Sequence, residues 1–228
     1  MSSTSSPSPS GASVADRPQT WEMVVVHRFF RRKFGALPAL VRAVPAGDAA
    51  RAAVLLAHLR ELAETLHHHH TAEDELVWPL LLERVDLERP LVLRMEEQHE
   101  RVAALLDRAQ AQATAFGRDA SRAAGEALAV TLTSLTAALE EHLDDEEREV
   151  LPVVERHMTL AEWNAVGERA RASVPKDRLL VQLGHILEGC SPEEARRFLA
   201  QLPVPARLAW RLVGRRAYAA ERTRIQGP

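Results

Sequence analysis

Histidines recur along this chain in two pairs of nearly equal spacing, and this internal repeat constrains the fold more than any other feature. His27 and His69 are 42 residues apart, and His99 and His142 are 43 residues apart. The residues around them repeat as well, at a shift of 72 residues for the first histidine of each pair and 73 for the second. The chain is therefore expected to contain two copies of one helix pair.

Each of these histidines lies on the apolar stripe of a predicted helix. The repeating apolar positions are Met23, Phe30, Phe34, Leu62, Leu66 and Val77 in the first copy and Met95, Val102, Leu106, Leu135, Leu139 and Val150 in the second. Their steps of three and four residues put them on the same helix face as the histidines. Glu73 follows His69 by four residues, and Glu146 likewise follows His142. Four helices would thus aim four imidazoles and two carboxylates at a common centre.

The composition favours helices throughout, because isoleucine occurs twice and tyrosine once, whereas alanine and leucine are abundant. Breaks are expected at Pro38, Pro45, Pro79, between Asp86 and Pro90, around Gly117 and at Pro152. They delimit long helical segments at about 20–44, 48–82, 89–115 and 119–151, which three or four shorter helices follow. The predicted fold class is all-α, an up-down four-helix bundle with a C-terminal helical extension.

Three regions are predicted along the chain. Residues 1–18 are rich in serine and proline and are expected to form a disordered tail. The bundle would occupy residues 19–157, and the helical extension residues 158–228. The extension should be folded, since Thr159 with Glu162 and Ser191 with Glu194 have the spacing of capping boxes.

The buried carboxylates predict a bound cation. A single histidine on an apolar stripe is usually a hydrogen-bonded core residue, but two carboxylates in an apolar core cost several kcal/mol each unless they are neutralised. No lysine or arginine occupies the repeating stripe positions. A metal ion would resolve this directly, and the sequence therefore predicts a metal site.

The ligand types narrow the choice of metal. Cys190 is the only cysteine, which excludes an intramolecular disulfide and a thiolate-built zinc or iron-sulfur site. Imidazole with carboxylate suits iron, zinc or manganese, and six donors exceed what one tetrahedral zinc ion takes. Two ions fit better, each with a histidine pair, with the carboxylates bridging and an oxo or hydroxo bridge completing a di-iron centre.

The same residues resemble those of the hemerythrin-like HHE cation-binding domain of the bacterial type. The resemblance covers about residues 20–157. Its most specific feature is the histidine-glutamate pair ahead of a proline, which occurs before both Pro79 and Pro152. It implies a non-haem di-iron centre in a four-helix bundle, with iron ligands at His27, His69, His99 and His142 and bridging carboxylates at Glu73 and Glu146.

One departure from the family bears on function. Oxygen-carrying hemerythrins have a second histidine one turn after the histidine of the third helix, where this chain has Ala103. The resemblance therefore favours the bacterial proteins linked to peroxide or nitric oxide handling in oxidative or nitrosative stress. The alternative is an iron or oxygen sensor, or an oxygen or iron storage module, that signals through the C-terminal helices. Whether the protein is an enzyme stays open.

The run of four histidines from His67 to His70 poses a question of register, because His70 and Asp74 are also four residues apart. The repeat favours His69 as the ligand, since His69 corresponds to His142 and His70 corresponds to Leu143. His70 and Asp74 remain candidates for supporting the ligands from behind. His67 and His68 are expected on a solvated face.

Charge and hydropathy restrict the partners. The formal net charge is -3 and the pI about 6.4, so no nucleic-acid partner is expected and no recruitment to an anionic membrane. The sequence has no apolar run of membrane-spanning length and no secretory signal pattern at its start. We expect a cytoplasmic protein whose ligand is oxygen, peroxide or nitric oxide, with a possible protein partner at the C-terminal helices.

Overall fold

The computed structural model describes residues 17–85 and 89–227. Most of the predicted disordered tail, at 1–16, lies outside these residues, as do three residues of the predicted break before Pro90. The four long helices are α1 (Trp21–Arg42), α2 (Ala49–Leu76), α4 (Arg89–Asp119) and α5 (Arg122–Asp145). The described residues contain no strand. The prediction of an all-α bundle with C-terminal helices is confirmed.

The two histidine-bearing helices α2 and α5 end in the same way. A short helix ahead of the next loop continues each of them, α3 (Trp78–Arg84) after α2 and α6 (Leu151–His157) after α5. Pro79 and Pro152 lie in the first turn of these short helices, where a missing N–H is tolerated. A π-helical turn over Glu146–Val150 joins α5 to α6. Such widened turns often occur at functional sites, and this one begins at a candidate ligand.

The break expected at Pro38 is absent, so the predicted segment of about 20–44 forms one helix, and the break expected around Gly117 lies three residues later. α1 continues past Pro38 to Arg42, since Leu37 and Val41 are buried and their packing outweighs the one lost hydrogen bond. α4 likewise continues past Gly117 and ends only where Ala120 takes a left-handed conformation with φ of 48°.

The core of the bundle consists of two apolar clusters. The larger contains Phe30, Phe34 and Leu66, and the smaller contains Trp78 and Met95. Along α1, α2 and α4 the predicted histidine lies between the segments that form the two clusters, and His142 lies near the end of α5, where the larger cluster ends. A layer of polar side chains therefore separates them along the bundle axis.

The C-terminal extension consists of α7 (Leu160–Ala172), α8 (Leu179–Leu187), α9 (Pro192–Ala200) and a long last helix. The last helix comprises α10 (Val204–Ala209), a π-helical turn over Trp210–Gly214, and α11 (Arg215–Gln226). Both predicted capping boxes are present, at the starts of α7 and α9. α7 packs against α2, and α8 packs against α1 and α11. None of the described helices combines the length and apolarity needed to cross a bilayer.

Candidate metal centre

All six side chains predicted as ligands are buried in the polar layer. His27 comes from α1, His69 and Glu73 from α2, His99 from α4 and His142 from α5, and Glu146 opens the π-helical turn. His27 and His142 are fully buried, and Glu73 and Glu146 are each 1% exposed. The bundle thus brings the six residues to one place, together with a seventh, His70.

The donor atoms form two groups of four. One group contains His27, His69, Glu73 and Glu146, and within it one donor atom of each residue lies within 4.8 Å of the others. The second group has the same spacing. It contains Glu73 again, together with the imidazoles of His70, His99 and His142. Because Glu73 belongs to both groups, its carboxylate can bridge two cations.

The two carboxylates connect the groups on opposite sides. Glu73 Oε1 lies 3.3 Å from His69 Nε2, and its Oε2 lies 3.6 Å from His99 Nε2. Glu146 Oε2 lies 3.2 Å from His27 Nε2 and 3.8 Å from His142 Nε2. Each carboxylate therefore reaches an imidazole of both groups, which is the arrangement that a pair of bridged ions requires.

Six of the polar atoms at the centre lack hydrogen-bond partners among the described residues. They are the Nε2 atoms of His27, His69 and His70, both carboxylate oxygens of Glu73, and Oε2 of Glu146. A buried polar group without a partner costs about 1–3 kcal/mol, and a charged one more. Unpaired lone pairs that converge in this way fit a bound cation, because a cation would satisfy all of them together.

The electrostatics of the carboxylates also fit a cation. Burial and the negative charge of Glu146 raise the pKa of Glu73 well above its usual range. Burial acts in the same direction on Glu146, but the imidazoles of His27 and His142 outweigh it and lower the pKa of Glu146 to about 2. The site by itself therefore tolerates one negative carboxylate but not two, and divalent cations would supply the missing positive charge.

Outer polar residues hold three of the imidazoles by the ring nitrogen that faces away from the centre. His27 Nδ1 donates to Glu147 Oε1 at 2.9 Å, and His99 Nδ1 donates to Asp74 Oδ1 at 2.8 Å. His142 Nδ1 has Gln98 Oε1 at 3.3 Å. In a neutral ring, donation from Nδ1 leaves the lone pair on Nε2, which is the tautomer that a metal ligand needs. Nε2 of His99 and Nε2 of His142 lie 3.3 Å apart.

These outer residues are themselves anchored. Asp74 Oδ1 also accepts from Trp78 Nε1 at 2.8 Å, and Glu147 Oε1 accepts from Arg31 at 2.6 Å. Gln98 donates to Asp145 Oδ2 at 2.9 Å. The sequence pattern indicated Asp74 as a possible support but gave no signal for Glu147 or Gln98, because their contacts depend on how the helices pack.

His70 is a candidate ligand that the repeat does not indicate. Its ring stacks on that of His99, with centroids 3.9 Å apart and planes 9° from parallel, and only 7% of the residue is exposed. It belongs with the candidate ligands of the second group rather than behind them. His67 and His68 stay outside both groups, with His67 exposed and His68 half-buried.

Position 103 does not face the centre, because Ala103 is exposed on α4. A histidine there would lie on the outside of the bundle, whereas His70 brings a fifth imidazole to the site. The lack of a histidine at position 103 therefore leaves five imidazoles in the two groups.

Comparison with known proteins supports the same reading of the residues. A family model described as the hemerythrin HHE cation binding domain matches residues 20–154, which is more than half of the chain. The matched range includes all seven convergent side chains. Neither the curated proteins nor the solved structures that were compared gave a match.

Proposed function

Because this chain belongs to the hemerythrin HHE cation-binding family, we propose that its polar layer binds two iron ions and reacts with a small oxidant or diatomic ligand. The observation that carries the proposal is the convergence of unpartnered, buried imidazole and carboxylate atoms in two groups that share Glu73. Nitrogen and oxygen donors without sulfur suit iron, and two groups of four suit two ions better than one.

The ligands divide unequally between the two ions. His27 and His69 would hold one ion, and His70, His99 and His142 the other, with Glu73 and Glu146 between them. The first ion then has one imidazole fewer than the second. An open position for a small ligand is expected at the first ion.

The outer hydrogen bonds prepare the imidazoles for this role. Asp74 and Glu147 hold the Nδ1 protons of His99 and His27, so Nε2 of each ring presents a lone pair to the centre. Their negative charges also compensate part of the charge that two bound cations bring. Phe30 and Trp78, which are buried beside His69 and His99, cover part of these two rings.

Iron, when bound as a pair, supplies redox chemistry, since two ferrous ions can give two electrons to one molecule of oxidant. The buried layer restricts the reacting partner to a small molecule such as peroxide, nitric oxide or oxygen. Consumption of peroxide or nitric oxide would place the protein in oxidative or nitrosative stress handling. We place the metal-binding domain at residues 19–157 and the extension at residues 158–228.

Metal analysis and optical spectroscopy test the proposal. Protein produced with sufficient iron should contain two iron ions per chain, and the spectrum of the reduced protein should change on addition of peroxide, nitric oxide or oxygen. The ligand that reacts fastest and in stoichiometric amount identifies the activity, and repeated turnover of peroxide identifies an enzyme. One zinc ion and no iron would contradict the proposal.

A sensor is the second candidate, favoured by the way the extension holds the first helix. Arg28, the residue after His27, pairs with Glu194 of α9, and Lys33 Nζ lies 2.6 Å from Glu188 Oε2 at the end of α8. A change at His27 could thus reach α8 and α9 through α1. Hydrogen exchange in α8 and α9 should differ between metal-free and iron-loaded protein if the extension transmits the state of the centre.

A further inference from the structure

An apolar cavity of about 370 Å³ lies between the bundle and the C-terminal helices. α1 contributes Met23, Val26 and Phe30 to its wall, at helical steps of three and four residues. α7 contributes Trp163 and Val166 from the opposite side. Each of these helices turns one apolar stripe toward the cavity, which stays partly open to solvent.

The other walls connect this cavity to the polar layer. α8 closes one side with Leu183 and Ile186. α2 lines the inner side with Thr65, His69 and Ala72, so the cavity reaches a side chain of the candidate metal centre. An organic molecule in the cavity would lie against His69.

The charged residues of the wall are Arg171 and Glu22. The carboxylate of Glu22 already accepts a hydrogen bond from Gln201. Arg171 folds back over Gly167, whose added Cβ would meet Arg171 Nη1 at 3.2 Å. Within the described residues, the Arg171 guanidinium pairs with no carboxylate. A cation is therefore available beside an apolar cavity.

Size and chemistry together describe a ligand site. Small-molecule sites have volumes of about 300–1,000 Å³ and apolar walls with a few polar groups that orient the ligand. Apolar walls left without contacts cost stability, so a filled cavity is favoured over an empty one. We propose that this cavity binds one amphipathic molecule with an apolar body and a carboxylate, which pairs with Arg171. The proposal goes beyond the iron chemistry and does not depend on it, since protein side chains alone form the cavity.

Calorimetric titration of the full chain tests the site, with decanoate and decanol as matched probes below their micelle concentrations. In metal-free and iron-loaded protein alike, decanoate should bind with one molecule per chain and more tightly than decanol. Replacing Arg171→Gln should weaken decanoate binding about fivefold, the value of one partly exposed ion pair, and leave decanol binding unchanged. Arg169→Gln is the control, because Arg169 lies on the same helix but pairs with Glu75.

A second variant locates the binding. Ala170 lines the cavity and is half-buried, so Ala170→Phe should fill part of the space and abolish binding of both probes. Circular dichroism and the melting temperature report whether this variant folds. If it does not fold, the effect of Arg171→Gln on decanoate binding tests the location of the site instead. Failure of both probes to bind the unaltered protein would overturn the site. Equal decanoate affinity with and without Arg171 would overturn the recognition of the carboxylate, and neither result would affect the iron content.

Discussion

Two adjacent residues of α2 face different partners, and this explains how one helix can contribute to both ligand groups. Successive residues of a helix point about 100° apart. The ring of His69 lies 5.4 Å from that of His27 on α1, whereas the ring of His70 stacks on His99 of α4. Glu73 follows one turn later and reaches both groups. The segment 69–73 of α2 therefore contributes to both ligand groups.

Replacement of His70 tests its assignment as a ligand. His70→Ala should lower the iron content from two ions per chain toward one, since the second group loses one of its three imidazoles. His67→Ala is the matched control, because His67 belongs to the same run but is exposed. Elemental analysis of both variants, purified in parallel, measures the difference. Full iron content in the His70 variant would show that the residue only supports the other ligands.

The candidate site could be predicted from the sequence in large part but not completely. The repeat identified six residues that the bundle brings together, because helical periodicity alone decides which residues share a stripe. The repeat does not indicate His70, because it assigns α2 one buried face, whereas α2 packs against α1 and α7 as well as α4. The burial of two neighbouring positions depends on this packing, which the sequence pattern does not reveal.

At the scale of helices, the contact between α8 and α11 depends on a glycine. A Cβ added at Gly184 would lie 2.3 Å from Tyr218 Cγ, near the backbone of α11. Gly184→Ala should therefore push the helices apart and lower the free energy of unfolding by about 1–3 kcal/mol. Gly35→Ala should instead stabilise by about 0.5–1 kcal/mol, because Gly35 lies within α1 and its added Cβ would meet only Thr136 at 3.9 Å. Urea denaturation of both variants measures the contrast.

The attachment of the extension should also depend on pH. His58 of α2 and His185 of α8 are buried beside each other, with ring centroids 5.7 Å apart. Burial, with a contribution from Lys33, lowers the pKa of His58 to about 4 and that of His185 to about 3. Glu221 opposes these shifts, but more weakly. Both histidines therefore stay neutral in the folded protein at pH values where an unfolded histidine, with a pKa of about 6.5, is protonated.

The sign of the effect follows from the difference in bound protons. Between pH 6.5 and pH 4 the unfolded chain binds more protons, so the free energy of unfolding should fall as the pH falls, by on the order of 2 kcal/mol per histidine. Denaturation of metal-free protein at several pH values measures the slope. His185→Phe should flatten it relative to the unaltered protein, and an unchanged slope would mean that other groups cause it.

Helix boundaries show which local signals suffice for prediction. The capping boxes at Thr159 and Ser191 were predicted correctly, because the two hydrogen bonds of a capping box join residues only three positions apart in the sequence. The break at Pro38 was wrong, because proline removes one hydrogen bond and the buried Leu37 and Val41 hold the helix together. Local chemistry therefore predicted where helices begin better than where they end.

At the scale of the whole molecule, the polar layer opposes folding unless it is occupied. It separates two apolar clusters and places the donor atoms of Glu73 and Glu146 within 4.8 Å of each other. Binding to the folded chain alone raises stability by mass action. Iron-loaded protein should accordingly melt well above metal-free protein in scanning calorimetry, and indistinguishable curves would place the ions away from the layer.

One substitution should act in opposite directions on the two forms. In metal-free protein, Glu73 must either bury a negative charge near Glu146 or take up a proton on folding, and both cost stability. Glu73→Gln avoids both costs, so the melting temperature should rise. In protein supplied with iron, the same variant loses the bridging ligand and retains less metal, so the melting temperature should fall. Glu75→Gln is the control, since Glu75 is half-exposed and pairs with Arg169 outside the layer, and it should change either form little. A fall in both forms would mean that Glu73 stabilises the bundle through its packing, and a rise in both would mean that iron does not bind there. The opposite signs are expected only if the carboxylate destabilises the empty layer and binds metal in the occupied one.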